Sequence, residues 1–524
     1  MGSVSLIPGG KTRSFKTDTL LLDALLDMGL HIQTACGGKG ICGKCSVRAE
    51  GALSEPDENE KNLNFEKNGF RLACRSRILG DVSLYIEENE TSVLNKALPS
   101  FNPDDTYAAA IDIGTTSIVV ALVNLASKTS AELATVMNPQ RRYGHDVISR
   151  ISSAADMDIS DTMSNLVQDA VLHTMSAALK DLGIPFGHIK RITFSGNTTM
   201  LYLLFGLDVS PLGMYPYRAD HTDFADSEIA EKPALTGSLK IKRVFPDATI
   251  SALPVLSGFL GGDLTGGLAV CHVKGFTKNA FFIDLGTNGE LFLTDGRGRI
   301  FAASCAMGPA LEGMNISCGM TADDGAITHV WVESSELRYS MMGNGSPRGI
   351  SGTAVVDLLA IFLETGIIRR SGTFSRDLEN RRLPSPARCE YTSASKKIRL
   401  WGDIGVTQKD IRNVQLAKGA SLAASRLLLG QAGSSSEDIE RVFIAGALGR
   451  NLSMDNFKRL EFIPDFPNAE YHYLGNSSLM AAQEACLDET FITRAMELRD
   501  RAQEVNLSAL PEFNKEFINA LDFK

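Results

Sequence analysis

The sequence predicts a multidomain protein of mixed α+β and α/β architecture, and three observations support this prediction. The chain has 524 residues, which is too long for a single hydrophobic core. Four of its nine cysteines fall within the first 74 residues, at a spacing typical of metal ligands. Beyond residue 106, two strand–turn–strand segments share an Asp-x-Gly-Thr turn and are separated by helical stretches.

Composition argues against two kinds of partner. The formal net charge is −10, whereas a nucleic-acid-binding protein needs a basic face for the phosphates, so we expect no nucleic acid. No run of roughly 18 apolar residues occurs, so we expect no membrane association. The first residues lack the basic and then apolar pattern of a signal peptide, and we therefore expect a cytoplasmic protein with reduced thiols.

Composition shifts along the chain predict four segments. Residues 1–95 contain the clustered cysteines, a short helix in TDTLLLDALLDMG and a final strand in VSLYIEE. Residues 96–106 carry two prolines and two consecutive acidic residues, which is typical of a linker. Residues 107–188 are predicted to form a middle domain with the first Asp-x-Gly-Thr turn, and residues 189–524 a C-terminal domain with the second.

The four N-terminal cysteines have the spacing C-x5-C-x2-C-x28-C and are Cys36, Cys42, Cys45 and Cys74. A [2Fe–2S] cluster needs four thiolates, here three from one tight loop and one from a distant position. The loop CGGKGICGKC is rich in glycine, which permits the backbone torsions and close approach that wrapping around a cluster requires. This loop resembles that of the [2Fe–2S] ferredoxin superfamily, and the resemblance implies a β-grasp domain.

Two other interpretations of these cysteines remain open. Four thiolates could hold zinc, although a zinc ribbon usually offers two C-x2-C pairs and this chain has one. Cys42 and Cys45 could form a redox-active pair, but the strand before and helix after that such a pair needs are not predicted here. The spacing and the glycines therefore favour [2Fe–2S] over both alternatives.

The two Asp-x-Gly-Thr turns begin at Asp112 and Asp284, which are 284 − 112 = 172 residues apart. A turn of this kind gathers backbone N–H groups and hydroxyls around phosphate oxygens, and its Asp can hold Mg²⁺ through water. A third strand followed by a glycine turn occurs at residues 441–451. A buried structural hairpin without a ligand is the alternative interpretation of any one such turn.

Together the three turns resemble the acetate and sugar kinase, heat-shock protein and actin superfamily, in which two ribonuclease-H-like lobes close on ATP. The resemblance implies an ATP-binding function for the C-terminal domain and assigns Asp112 and Asp284 as catalytic residues. It also implies nucleotide contacts in three places: Gly114, Thr115 and Thr116 in the first turn; Gly286, Thr287, Asn288 and Glu290 in the second; and Gly446, Ala447 and Gly449 at the adenosine.

Several phrases resemble those of the reductive activators of corrinoid proteins, namely NPQRRYGHDVISRI, SGNTTMLYLLFGL, PRGISGTAVVDLLA, TQKDIRNVQLAKGA and LSALPEFNKEFINAL. The resemblance covers nearly the whole chain. It implies one-electron reduction of Co(II) to Co(I) in a corrinoid protein of an anaerobic methyltransferase system. ATP with Mg²⁺, a low-potential electron donor and a homodimer are implied with it.

Redox chemistry gives a reason for joining the two modules. Plant-type clusters have potentials near roughly −400 mV, and making Co(I) needs a still stronger reductant, so the electron must move uphill. Two alternatives remain open. One is an ATP-gated activator of another enzyme, such as a 2-hydroxyacyl-CoA dehydratase, and the other is a redox-sensing ATP-dependent binding module.

Overall fold

The computed structural model describes most of the chain. The described residues are 1–7, 12–28, 40, 45–62, 69–85, 101–144, 146–224, 239–275, 277–286, 288–313, 315–322, 324–376, 378, 384–391, 396–446 and 452–524. They divide into two compact units. Unit 1 comprises Met1–Lys190, Thr199–Pro216 and Ala230–Thr249, and unit 2 comprises Arg191–Thr198, Tyr217–Ile229 and Ile250–Lys524.

The N-terminal part of unit 1 is a β-grasp domain, as the cysteine loop predicted. Its elements are β1 (Gly2–Ile7), β2 (Thr12–Phe15), α1 (Leu21–Asp27), β3 (Ser46–Leu53), α2 (Glu58–Asn62), β4 (Phe70–Leu72) and β5 (Ile78–Tyr85). The sheet has the order β2-β1-β5-β3-β4, with β1 and β5 parallel and the other pairs antiparallel. The apolar side of α1 packs into the core of this domain, which confirms the helix predicted there.

The rest of unit 1 is built on an antiparallel meander with helices beside it. The elements are β6 (Tyr107–Ile113), β7 (Ser117–Asn124), β8 (Ser130–Met137), α3 (Val147–Ser153), α4 (Met157–Asp181), α5 (Thr198–Phe205), α6 (Ser210–Gly213) and α7 (Lys240–Val244). Strands β6, β7 and β8 pair in order. Helix α4 packs on β7 and β8 and buries Met163, Val167, Val171 and Met175, one on each turn, which is the spacing of an amphipathic helix.

Unit 2 contains most of the remaining elements. They are β9 (Ile189–Gly196), β10 (Thr249–Ala252), α8 (Gly262–Val273), β11 (Ala280–Leu285), β12 (Asn288–Thr294), β13 (Ile300–Ala306), β14 (Ala326–Glu333), β15 (Glu336–Met341), β16 (Gly349–Ile350), α9 (Gly352–Glu364), β17 (Arg388–Tyr391), β18 (Lys396–Arg399), β19 (Gly405–Thr407), α10 (Gln408–Ala432), β20 (Arg441–Ala445), α11 (Met454–Arg459), β21 (Glu470–Gly475), α12 (Ser477–Leu487), α13 (Thr490–Arg501), β22 (Ala502–Glu504) and α14 (Phe513–Asn519).

A six-stranded sheet organises unit 2, with the order β21-β20-β11-β12-β13-β22. Strands β11, β20 and β21 run parallel, so their carboxyl ends meet at one edge of the sheet. Strands β11, β12 and β13 form an antiparallel meander like that of β6, β7 and β8. Both meanders carry the Asp-x-Gly sequence at the first turn, which agrees with the predicted duplication.

Helix α10 shows how local sequence sets the element boundaries. It begins after Thr407, whose side chain caps the helix in a reciprocal arrangement with Asp410, and it ends at Gly433 in the left-handed conformation. The sequence TQKDIRNVQLAKGASLAASRLLLGQAG indicates this helix, with its end at Gly430 or Gly433, and the structure places the end at Gly433. Among the described residues, no helix combines the length and the apolar character that crossing a membrane requires.

Candidate functional site

Two of the four predicted cluster ligands come together at one end of the β-grasp sheet. Cys45 directly precedes β3 and Cys74 follows β4, and both side chains are buried. The Cys45 thiol donates a hydrogen bond to the Cys74 sulfur at 3.1 Å. When Cys45 is ionised, the Cys74 thiol can donate to it instead, and this bond lowers the pKa of Cys45 to about 7, against the opposing effect of burial. Paired buried thiols of this kind suit a thiolate-ligated cluster.

The other two predicted ligands, Cys36 and Cys42, lie outside the described residues. Gly40 is the described residue of the loop between them, and its φ is +76°. A Cβ at this position would lie 2.7 Å from the Arg75 side chain, next to Cys74. The loop therefore needs glycine here for both its backbone torsion and its close approach.

A buried carboxylate holds the segment that carries Cys74. Glu60 is 2% exposed and accepts hydrogen bonds from the Arg71 guanidinium at 3.1 and 3.2 Å. The same carboxylate accepts the Leu72 backbone N–H at 2.8 Å and the Ser76 hydroxyl at 3.3 Å. These bonds fix the chain on both sides of Cys74, so Glu60 positions a cluster ligand without touching the cluster.

The first Asp-x-Gly-Thr turn joins β6 to β7. Asp112 lies opposite Val119 near the end of β6 and is half-buried, as are Thr115 and Thr116 in the turn. The Gly114 N–H donates to the Ser117 carbonyl at 2.9 Å, and a Cβ at Gly114 would lie 2.8 Å from that oxygen. Only glycine fits this approach, so the turn is tight enough to present its backbone to a ligand.

The second turn joins β11 to β12 and carries two acidic residues. The strand register places Asp284 directly opposite Glu290. The Gly286 N–H donates to the Asn288 carbonyl at 3.1 Å and closes the turn. Thr287 lies outside the described residues.

A third carboxylate, Asp263 in the first turn of α8, lies close enough to act on this pair electrostatically. Burial raises the pKa of Glu290 well above its usual range, and the charges of Asp263 and Asp284 raise it further. The Ser477 hydroxyl donates to Asp284 at 3.1 Å. Among the described residues, no three His, Cys, Asp or Glu side chains converge closely enough to hold a metal ion directly.

Gly446 follows β20, which pairs with β11, and so lies beside the second turn. Its N–H donates to the Gly475 carbonyl at 2.9 Å. Its φ is +109°, and a Cβ would lie 2.5 Å from the Leu285 carbonyl oxygen. The other two predicted adenosine contacts, Ala447 and Gly449, lie outside the described residues.

Sequence analysis missed Asp263 and Ser477. Asp263 follows Gly262 at the start of α8, and Ser477 is the first residue of α12, after the N-cap Asn476. The preceding strand β21 ends at Gly475, and its carboxyl end lies at the same sheet edge as Gly446. Ligands of open parallel sheets bind at this edge, so a correct prediction of β21 would have drawn attention to Ser477. The glycines around Asp263 serve packing, since a Cβ at Gly266 would lie 2.6 Å from the Ala481 Cβ.

Comparison with known families accounts for three regions of the chain. The 2Fe-2S iron-sulfur cluster binding domain matches residues 6–79, the RACo middle region matches residues 107–275, and the C-terminal domain of RACo, the ASKHA domain, matches residues 278–524. A cluster-binding domain followed by an ATP-binding ASKHA domain defines an ATP-dependent iron–sulfur activator. The predicted boundary between residues 188 and 189 stays a prediction.

Relatives extend over nearly the whole chain. The corrinoid activation enzyme RamQ of Eubacterium limosum is 31% identical over 89% of this chain and 90% of its own length. The [Co(II) methylated amine-specific corrinoid protein] reductase of Methanosarcina barkeri is 23% identical over 80% of this chain and 77% of its own. A solved reductive activator for corrinoid, iron-sulfur protein superposes with a TM-score of 0.70 at 25% identity, covering 100% of this chain and 98% of that chain. The chain therefore belongs to the RACo family, as its sequence phrases predicted.

The role of Glu60 predicts a stability effect. Glu60→Ala removes the buried partner of Arg71 and leaves the Leu72 N–H without its acceptor, so we expect a loss of about 3 kcal/mol in the β-grasp domain. Denaturant titration of the cluster-loaded protein, followed by the visible absorbance of the cluster, measures this. Glu50→Ala is the matched control, because its ion pair with Arg48 is exposed at 3.6 Å and should cost less than about 1 kcal/mol. Equal losses in the two variants would contradict the assigned role.

The pKa of Glu290 predicts a pH dependence. The folded state retains a proton that the unfolded chain releases near the ordinary value of 4.5. The free energy of unfolding should therefore be greatest below this value and fall as pH rises toward the folded-state pKa. Glu290→Gln cannot titrate and should lose this part of the slope, which urea unfolding from about pH 5 to about pH 8 without Mg²⁺ measures. The control is the exposed Glu333→Gln; a wild-type slope in Glu290→Gln would show that Glu290 is ionised throughout.

Proposed function

We propose that this protein performs ATP-dependent reductive activation of a corrinoid protein in a methyltransferase system, by one-electron reduction of Co(II) to Co(I). The observation that carries the proposal is the presence, in one chain, of a buried thiol pair suited to a cluster and two glycine turns with acidic residues suited to a nucleotide. The names of two relatives and of one solved structure supply the corrinoid target.

On the redox side, Cys45 and Cys74, together with Cys36 and Cys42, would hold a [2Fe–2S] cluster. The bound cluster supplies a site that accepts one electron from a low-potential donor and gives it to Co(II). Glu60 and Arg71 hold the Cys74 segment rigid, which keeps the reorganisation that accompanies each electron transfer small. Burial of Cys45 and Cys74 excludes water from this side of the cluster.

The predicted nucleotide contacts lie in two turns, one in each unit. Thr115 and Thr116 offer backbone N–H and hydroxyl groups to phosphate oxygens, while Gly114, whose own N–H bonds to the Ser117 carbonyl, keeps the first turn tight. In the second turn, Asn288 offers its side-chain amide, and Gly286 closes the turn with its N–H. In unit 2, Asp284, oriented by Ser477, would hold Mg²⁺ through water and place the water that attacks the terminal phosphate. In unit 1, Asp112 has the corresponding place at the first turn. Gly446 allows the backbone to approach the adenosine.

ATP is needed because the electron moves uphill. For a one-electron step, each further 59 mV or so against transfer costs about tenfold in the equilibrium constant. Binding and hydrolysis of ATP can populate a conformation of the complex in which transfer occurs or from which the products separate. The corrinoid target is favoured over the dehydratase and sensor alternatives, because the two relatives that match over 89% and 80% of the chain are named for corrinoid proteins.

The proposal also includes the location of the reaction, its conditions and the oligomeric state of the protein. We place the reaction in the cytoplasm and under anaerobic conditions, because both a low-potential cluster and Co(I) are readily oxidised. A homodimer, implied by the family resemblance, can be checked by sedimentation.

The proposal predicts that Asp284→Asn loses ATP turnover by about 10²-fold or more, because the metal–phosphate contact loses its charge. Cluster-loaded protein is mixed with Ti(III), Mg²⁺–ATP and a Co(II) corrinoid protein, and the Co(I) absorption band is followed. Wild type should form the band only with ATP, and Asp284→Asn should form little of it. Asp295→Asn is the control, since Asp295 lies at the other end of β12 and pairs with Arg299.

No Co(I) band from the wild-type protein, or an equally strong band without ATP, would remove the proposed function. A strong band from Asp284→Asn would instead remove only the role given to the second turn.

A further inference from the structure

The segment NPQRRYGHDVISR has no role in the function described so far, yet it supplies the buried polar residues behind the first turn. Asn138 follows β8 and Arg150 lies in α3, and both belong to unit 1. Asn138 is 1% exposed and Arg150 is fully buried. Among the described residues, Arg150 is the largest side chain that is fully buried. Buried polar groups of this size need a specific reason, because their desolvation is costly.

These two residues anchor three consecutive carbonyls of the first turn. The Asn138 side-chain amide donates to the Gly114 carbonyl at 2.8 Å, and the Asn138 backbone N–H donates to the Thr116 carbonyl at 3.0 Å. Between them, the Arg150 guanidinium donates to the Thr115 carbonyl. The carbonyls of the turn are therefore all directed into the protein.

Anchoring the carbonyls sets the direction of the N–H groups. In a planar trans peptide the C=O and N–H bonds point in opposite directions. The N–H groups of Thr115 and Thr116, which share peptides with the anchored carbonyls of Gly114 and Thr115, therefore point away from Asn138 and Arg150. This is the arrangement of an anion-binding turn.

Arg150 also brings a positive charge that the described residues do not balance. Its remaining donors bond to the Gly144 carbonyl at 3.0 Å, the Gln140 amide oxygen at 3.4 Å and the Met200 sulfur at 2.9 Å, all of them neutral. No carboxylate of the described chain forms an ion pair with it. Asp146, the acidic residue that acts on it most, is exposed and caps α3 through the Ser149 N–H.

Burial lowers the pKa of Arg150 to about 9, so the guanidinium remains charged at neutral pH. An unbalanced buried charge costs several kcal/mol in a typical protein. Such a cost is offset if a ligand supplies the opposite charge when it binds, and Arg150 reaches the backbone of the turn predicted to hold phosphate.

We propose that Arg150 and Asn138 are positioning residues for the first phosphate turn, and that the buried Arg150 charge is balanced by the phosphates of the bound nucleotide. This inference rests on the ATP binding proposed above and assigns to unit 1 the discrimination between a nucleotide and its phosphate-free nucleoside. Asn138 orients the turn, and Arg150 both orients it and makes its surroundings attractive to negative charge.

The test compares nucleotide affinity with stability in the full, cluster-loaded chain. Arg150→Met removes the charge at similar volume. We expect its thermal midpoint without nucleotide to change little, because removal of an unbalanced buried charge offsets the loss of the bonds to the Thr115 and Gly144 carbonyls. Calorimetry should show Mg²⁺–ATP binding weakened by about tenfold or more, and adenosine binding unchanged. Arg142→Met is the matched control, since Arg142 lies in the same segment but is paired with Asp23 at 2.9 Å.

Gln140→Glu provides a second test that keeps Arg150 in place. It puts a carboxylate at the atom that already accepts from Arg150, so the charge would be balanced inside the protein. We expect ATP binding to weaken by about tenfold, with no loss in adenosine binding. This variant decides the question if Arg150→Met does not fold.

A merely structural arginine gives the opposite pattern, namely a lowered thermal midpoint in Arg150→Met with ATP affinity equal to wild type in the folded variants. That result would overturn the inference. Failure of the wild-type protein to bind ATP at all would instead remove the nucleotide step of the proposed function. If the variants bind ATP and adenosine as expected but wild type forms no Co(I), the role of Arg150 stands and only the corrinoid reaction is removed.

Discussion

A turn that binds phosphate through its backbone must have its own carbonyls satisfied elsewhere, and this constraint explains much of the structure around the predicted nucleotide contacts. In unit 1, Asn138 and Arg150 take up the carbonyls of Gly114, Thr115 and Thr116. In unit 2, backbone bonds close the second turn at Gly286 and hold Gly446 against the end of β21. The polar residues buried behind the first turn fix its carbonyls and thereby set the direction of its N–H groups.

The cluster-binding domain uses the same principle with different groups. Cys74 follows a short strand, and a short strand alone would leave it mobile. Glu60 accepts from the backbone before it and a side chain after it, while Arg71 balances the buried charge. Hydrogen bonds on both sides of Cys74 restrict its movement between oxidation states. This restriction suits a ligand of a centre that transfers a single electron.

Elements formed by residues close together in the sequence could be predicted, because the residues that determine them stand side by side in the chain. Apolar segments on both sides of the Asp-x-Gly-Thr turn predicted β6 with β7 and β11 with β12. Contacts between distant residues left no such signal: Ser477 reaches Asp284 across 193 positions. The protonated state of Glu290 also depends on burial by the folded sheet, which no spacing shows. Roles for the predicted nucleotide contacts, including Asp112 and Glu290, stay predictions.

The central claim is that the electron received by cobalt comes from the cluster and moves when the nucleotide binds or is hydrolysed. Its most direct test is a single turnover: the cluster is reduced, excess donor is removed, and Co(II) corrinoid protein and Mg²⁺–ATP are added in a stopped-flow spectrometer. The account predicts that cluster oxidation and Co(I) formation proceed together, in equal amounts and only with ATP. Co(I) that forms while the cluster stays reduced, or cluster oxidation that does not depend on ATP, would contradict it.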